Sequence, residues 1–133
     1  MAVPYYDNYA VALESLHSNY PEAKINLYLQ NKKCKFPLSH KDDHFISSIY
    51  AFDKCNDSTN FYHGKVFRFT TLNDVYFLYG SANCTKSALT KSASDSGNVE
   101  CCILESGSSE EFDSFFENFN IIPDSINFQC DLL

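Results

Sequence analysis

The chain has 133 residues and a formal net charge of −7, and hydrophobic residues make up 44% of it. This size predicts a single compact domain over residues 1–133 with a sizeable core. The low content of Gly and Pro, four of each, excludes a collagen-like or low-complexity chain. The acidic balance is the wrong sign for a protein that coats nucleic acid over its whole surface, but it allows a local basic patch.

The cysteines predict a reducing compartment. The first residues show no signal-peptide pattern, and Cys101 and Cys102 are neighbours on a predicted strand, where successive side chains point to opposite faces and do not pair easily. We therefore expect reduced thiols and a cytoplasmic location. The absence of a CxxC pair predicts no zinc site, and we expect no metal or other cofactor. No apolar run approaches the roughly 20 residues of a membrane helix.

The first part of the chain predicts a helix and then a strand. Asp7 or Asn8 is a suitable helix cap, and Pro21 would end the helix. Alternation over residues 25–29 predicts a strand with one buried face. Apolar residues recur between the cap and the proline at near-helical spacing, at Tyr9, Leu13, Leu16 and Tyr20.

The middle of the chain predicts a loop, a strand and a hairpin. Residues 31–43 are polar and indicate a loop, and residues 47–52 indicate a strand. Residues 65–70 and 75–79 are two stronger strands, and the turn residues 72–74 between them predict a hairpin.

The C-terminal third predicts a short helix beginning near Thr85 and a strand over residues 99–104. Ser108 and Glu111 form a capping-box pattern, which predicts a further helix with an apolar stripe of Phe112, Phe115, Phe116 and Phe119. Together these elements predict an α/β fold with a mixed central β-sheet flanked by helices.

Four side chains with complementary chemistry lie on the predicted hairpin. His63 and Lys65 are two apart and point to the same face, and Ser81 and Asn83 follow the second strand. Since adjacent strands lie about 4.8 Å apart, the two pairs can converge. They offer a potential nucleophile, a positive charge, a hydroxyl and an amide, which are the groups that attack at a phosphodiester requires.

In order, His63-Gly64-Lys65, Gly80-Ser81-Ala82-Asn83 and Asn98-Val99-Glu100 resemble the HxK, GSxN and N-x-E segments of the phospholipase D superfamily. The resemblance extends over most of the chain from about Ala10 to Leu104. It implies a phospholipase D-like half-domain and a phosphodiesterase that works without metal. The short nuclease-like members are more similar to this chain than the lipid-specific ones.

The resemblance implies a role for each residue. His63 would be the nucleophile or the general acid, Lys65 and Asn83 would hold the phosphate, and Ser81 would support it. Glu100 would accept a hydrogen bond from the catalytic imidazole and fix its tautomer. One position departs from the family pattern: Thr70 stands where an Asp often follows the Lys, which puts only that supporting role in doubt.

The family builds each active site from two such motifs, and this sequence contains one. The resemblance therefore implies a second HxK motif, from a homodimer partner or from another part of a longer chain. A twofold axis with facing His63 residues is the simplest arrangement. Nucleic acid is the favoured substrate, and the run Lys32, Lys33 and Lys35 is either a solvated loop or a contact to the substrate backbone.

Two alternatives stay open. One is a phospholipid-cleaving enzyme of the same superfamily. The other is a non-catalytic half that dimerises or binds nucleic acid through an inherited pocket. Cleavage that depends on His63 separates the enzymes from the binding module.

Overall fold

A computed structural model describes residues 1–31, 33–54, 62–110, 113 and 119–122 of the chain. One α-helix precedes the first strand, and strands predominate in the rest of the chain. The helices are α1 (Val11–Asn19) and α2 (Lys86–Leu89), and the strands are β1 (Ile25–Gln30), β2 (Ile46–Lys54), β3 (Val66–Thr70), β4 (Val75–Gly80), β5 (Cys102–Gly107) and β6 (Phe119–Ile122).

The strands form two three-stranded sheets, which together with the helices make a mixed α/β fold. The first sheet has the order β1-β2-β6, with β1 and β2 parallel and β6 antiparallel to β2. The second is the antiparallel sheet β3-β4-β5. The predicted single central sheet is therefore wrong in detail, although its mixed character is confirmed.

The N-terminal segment joins the two sheets. Ala2 bridges Tyr28 of β1 in parallel and Val66 of β3 in antiparallel orientation. The Ala2 amide donates to the Val66 carbonyl at 2.8 Å, and the Val66 amide donates back to Ala2 at 2.9 Å. A short extended segment thus supplies the backbone hydrogen bonds that the facing edges of β1 and β3 would otherwise lack.

Helix α1 ends before Pro21, as the sequence indicates, but it begins at Val11 with Ala10 at the N-cap position, later than a cap at Asp7 or Asn8 predicts. The carboxylate of Asp7 accepts from the amides of Val11 at 2.7 Å and Ala12 at 3.1 Å, two donors with no partner inside the helix. Its buried Leu13 packs in the same core as Leu27 and Leu29 of β1. Each such fully buried Leu stabilises the fold by roughly 1.5–3 kcal/mol.

Two predicted boundaries are wrong. The last long strand begins at Cys102 rather than residue 99, because its first partner is Gly80, the end of β4. Phe119 belongs to β6 and pairs with Lys54, so the predicted C-terminal helix does not extend to it. Ser109, Glu110 and Asp113 are helical. Glu111 and the remaining phenylalanines of the stripe lie outside the described residues.

None of the helices in the described part of the chain combines the length and the apolar character needed to cross a membrane.

Candidate phosphodiester site

The two halves of the predicted site meet at one end of the β3-β4 hairpin. Lys65 comes directly before β3, and Gly80 is the last residue of β4. The pairing of Val66 with Tyr79 sets the register, and the Gly80 amide donates to the Lys65 carbonyl at 3.3 Å. The residues that follow Gly80 therefore start beside Lys65.

His63 and Lys65 differ in their exposure. The side chain of His63 is exposed, whereas Lys65 is only 7% exposed. The Lys65 ammonium donates to the His63 carbonyl oxygen at 3.0 Å. Burial lowers the pKa of Lys65, and the nearby carboxylate of Glu100 opposes that shift. The Lys65 ammonium thus lies beside the backbone of His63, whose side chain is exposed.

The sharp turn after β4 requires glycine at position 80. Gly80 has φ +154°, and a Cβ there would lie 2.2 Å from the Cys101 carbonyl oxygen and 2.7 Å from the Cα of Cys102. The close approach lets Ser81 bond to the neighbouring backbone twice. Its amide donates to the Cys101 carbonyl at 3.0 Å, and its hydroxyl accepts from the Cys101 amide at 2.9 Å.

Glu100 links this turn to the segment before β5. One carboxylate oxygen accepts from the Ser81 hydroxyl, and the other accepts from the Asn98 side-chain amide at 2.9 Å. The same carboxylate attracts the Lys65 ammonium. Ser81, Glu100 and Lys65 therefore form one polar group, in which a carboxylate partly neutralises a buried cation. The orientation of the His63 ring by Glu100 stays a prediction.

Asn83 directly precedes Cys84, which anchors this part of the backbone. Cys84 is fully buried and bridges Tyr6 of the N-terminal segment, and burial raises the pKa of its thiol. Thr85 then caps the short helix α2 by accepting from the Ala88 amide at 3.3 Å. The Oδ1 atom of Asn83 is enclosed and has no hydrogen-bond partner among the described residues.

The sequence did not predict the contacts that position the backbone around His63. Gln30, at the end of β1, is buried, and its Oε1 accepts from the Tyr62 amide at 2.6 Å. The Tyr62 ring lies against Gly64, where an added Cβ would be 2.4 Å from ring atoms. These residues hold the backbone on both sides of His63. Gln30 and Tyr62 are 32 positions apart, and no local pattern links them.

The position where the family pattern has an acid lies far from this group. Thr70 ends β3 and pairs with Val75, at the other end of the hairpin from Lys65. Asp74 is exposed in the same turn, where its backbone carbonyl accepts from the Thr71 amide at 2.9 Å. Neither side chain reaches the site, so both belong to the turn.

The other histidines make contacts of their own, away from the hairpin end. The rings of His17 and His44 lie 5.1 Å apart, and His17 stacks on Phe45. His40 contacts the Asp43 carboxylate at 2.8 Å. Over the described ranges, no group of three or more His, Cys, Asp or Glu side chains is placed to bind a metal ion.

No protein-family model matches the chain, and a search of curated proteins finds no significant relative. The resemblance to the phospholipase D superfamily rests on the motif residues and their order.

Proposed function

We propose that this chain carries half of a metal-independent phosphodiesterase site of the phospholipase D type, with His63 as the reacting group. The observation that best supports the proposal is the polar group of Lys65, Ser81 and Glu100 at one end of the β3-β4 hairpin, in the same segment as exposed His63. Exposed His63 can reach a substrate, whereas the Lys65 side chain is buried and bonded to the His63 carbonyl.

The proposed reaction proceeds in two displacements. A ring nitrogen of neutral His63 attacks phosphorus, a P–N bond forms and the P–O bond to the leaving group breaks. The leaving oxygen takes a proton from the imidazolium of a second HxK motif. Water then attacks the phosphohistidine and gives its proton to that second imidazole, and the P–N bond breaks to release a phosphomonoester.

The polar group around Lys65 suits the charge that develops in this reaction. A phosphoryl group gains negative charge on its equatorial oxygens, and fixed donors stabilise it without reorganising. Lys65 supplies an ammonium group and Asn83 supplies two amide N–H donors. The Ser81 hydroxyl donates to Glu100 and accepts from the Cys101 amide, and these two bonds fix its position.

A second copy of the chain would supply the missing motif. The described residues contain one HxK…GSxN set, and a twofold axis through the site would place a second His63, Lys65 and Asn83 opposite the first. We favour nucleic acid as the substrate. Phospholipid is the alternative phosphodiester.

A binding module is the alternative to an enzyme. Lys65 is buried and one of the three donors of its ammonium bonds to the His63 carbonyl, which leaves two donors that could hold a phosphate without any cleavage. A half-domain that binds nucleic acid without cleaving it would have the same arrangement and would show no turnover.

The proposal is tested by cleavage of single- and double-stranded DNA and RNA in excess EDTA. We expect cleavage by the wild-type protein and a loss of at least about 100-fold in His63→Ala, because the reacting imidazole is removed. His40→Ala, which removes an imidazole paired with Asp43, is the matched control and should retain activity. Equal activity in the wild type and His63→Ala, or none in either, would contradict the proposal.

A further inference from the structure

Two extended segments, one around Tyr5 and one around Lys35, lie side by side next to the segment that carries Asn83. Tyr6 bridges Cys84 in parallel orientation, and Tyr5 bridges Lys35 in parallel orientation. The Tyr6 amide donates to the Lys35 carbonyl at 3.0 Å, and the Lys35 amide donates to the Pro4 carbonyl at 3.0 Å. The loop that contains Lys35 is therefore attached to the same end of the fold as the phosphodiester site.

Alternation of side chains places Tyr5, Asn83 and Lys35 on the face opposite the core, where Lys35 is exposed and the other two are partly buried. The residues that point inward are buried in one hydrophobic core, namely Tyr6, Cys34, Phe36 and Cys84. One position back from the Tyr6–Cys84 bridge, Tyr5 and Asn83 are neighbours on the other face. Lys35 is exposed on the far side of Tyr5. The order across the segments is Asn83, Tyr5, Lys35.

The spacing suits a chain of phosphates. Segments in backbone contact lie about 4.8 Å apart, so the backbone at Lys35 is roughly 10 Å from that at Asn83. The Lys35 ammonium is 6.0 Å from the centroid of the Tyr5 ring, at the outer limit of a cation–π contact. Among the described residues, Lys41 and Arg68 have a carboxylate within ion-pair distance, and Lys35 has none.

We propose that Tyr5 and Lys35 bind the part of a single-stranded nucleic acid next to the phosphate held at Asn83. Lys35 would neutralise a neighbouring backbone phosphate, and the Tyr5 ring would stack on an unpaired base. A basic group that follows the backbone, together with an aromatic ring for the bases, is the usual chemistry of single-strand binding. The inference rests on the proposed function, since it places these residues beside its site.

Binding of a fluorescein-labelled twelve-nucleotide oligo-dT to the intact His63→Ala chain tests this proposal without turnover. Adding Lys35→Gln should reduce the slope of log affinity against log salt by about 0.7, because one phosphate contact is lost. Tyr5→Ala should weaken binding roughly 5-fold or more, and Tyr5→Phe should retain it, because stacking needs only the ring. Lys24→Gln is the charge-matched control. It removes an exposed lysine that precedes β1, whereas the Lys35 loop follows the C-terminal end of that strand.

The outcomes separate this inference from the proposed function. Lys35→Gln behaving like Lys24→Gln, in both affinity and salt slope, would overturn the inference even if the wild type cleaves DNA in EDTA. The single-strand assignment would be overturned if a duplex of the same length bound with the same affinity as the single strand and Tyr5→Ala left that affinity unchanged. Absence of cleavage, with binding that still depends on Lys35 and Tyr5, would overturn only the proposed phosphodiesterase.

Discussion

Lys65 is the residue on which burial and function conflict. A buried ammonium group is costly, and burial lowers its pKa from the ordinary value of 10.5. Between the lowered pKa and 10.5 the unfolded chain binds more protons than the folded one, so the free energy of unfolding rises with pH in that window. The protein therefore retains a destabilising charge at neutral pH, which the proposed contact with a phosphate would offset.

Glu100 partly offsets that cost, and Glu100→Gln tests the pairing. Loss of the carboxylate charge should lower the pKa of Lys65 further and reduce the free energy of unfolding at neutral pH. The pKa can be followed by NMR titration of protein carrying ¹³C-labelled lysine. Glu22→Gln removes an equal charge from an exposed position before β1 and should leave it unchanged. A Lys65 pKa that responds equally to both substitutions would contradict the pairing.

The sequence singles out the residues of the proposed site but not the contacts that hold them. His63, Lys65, Ser81 and Asn83 could be found because the order of two short motifs is a local property of the chain. The hydrogen bond from Tyr62 to Gln30 and the bridge from Tyr6 to Cys84 join distant parts of the sequence. Such contacts depend on how the strands are arranged in space, which periodicity does not encode.

At the scale of elements, the junction of β4 and β5 decides the shape of the site. β4 ends at Gly80, and Cys102 is the first residue of β5 that it pairs with. The prediction of a strand from residue 99 came from residue type alone. Before Cys102 no strand partner is left, and the Cys101 backbone bonds to Ser81 instead. Residues 99–101 therefore lie outside the strand, and Glu100 among them accepts a hydrogen bond from Ser81.

Gly80→Ala should destabilise the protein more than Gly64→Ala. At Gly80 an added Cβ meets backbone atoms of Cys101 and Cys102, which cannot move without breaking the β4-β5 pairing. Overpacking of this kind costs about 1–3 kcal/mol. At Gly64 the obstacle is the Tyr62 side chain, whose displacement breaks no strand pairing. Urea denaturation measures both free energies of unfolding, and a larger loss for Gly64→Ala would refute this account of the turn.

For the whole molecule, the N-terminal segment matters more than its length suggests. Ala2 joins the two sheets, and Tyr5 and Tyr6 attach the Lys35 loop and Cys84 to each other. One short stretch of backbone thus fixes both β3, which directly follows Lys65, and the segment that carries Asn83. The α/β class could be predicted from alternating helices and strands. The division into two sheets could not, because it depends on which strands pair across distant parts of the chain.

The central claim is that each chain carries half of a shared site, and subunit mixing tests it most directly. Wild type and His63→Ala should be unfolded together, refolded in varying ratios and assayed for DNA cleavage in excess EDTA. If both imidazoles are needed, activity should fall with the square of the wild-type fraction, to about one quarter in an equal mixture. A linear fall, to about one half, would show that each chain acts alone and would contradict the shared site.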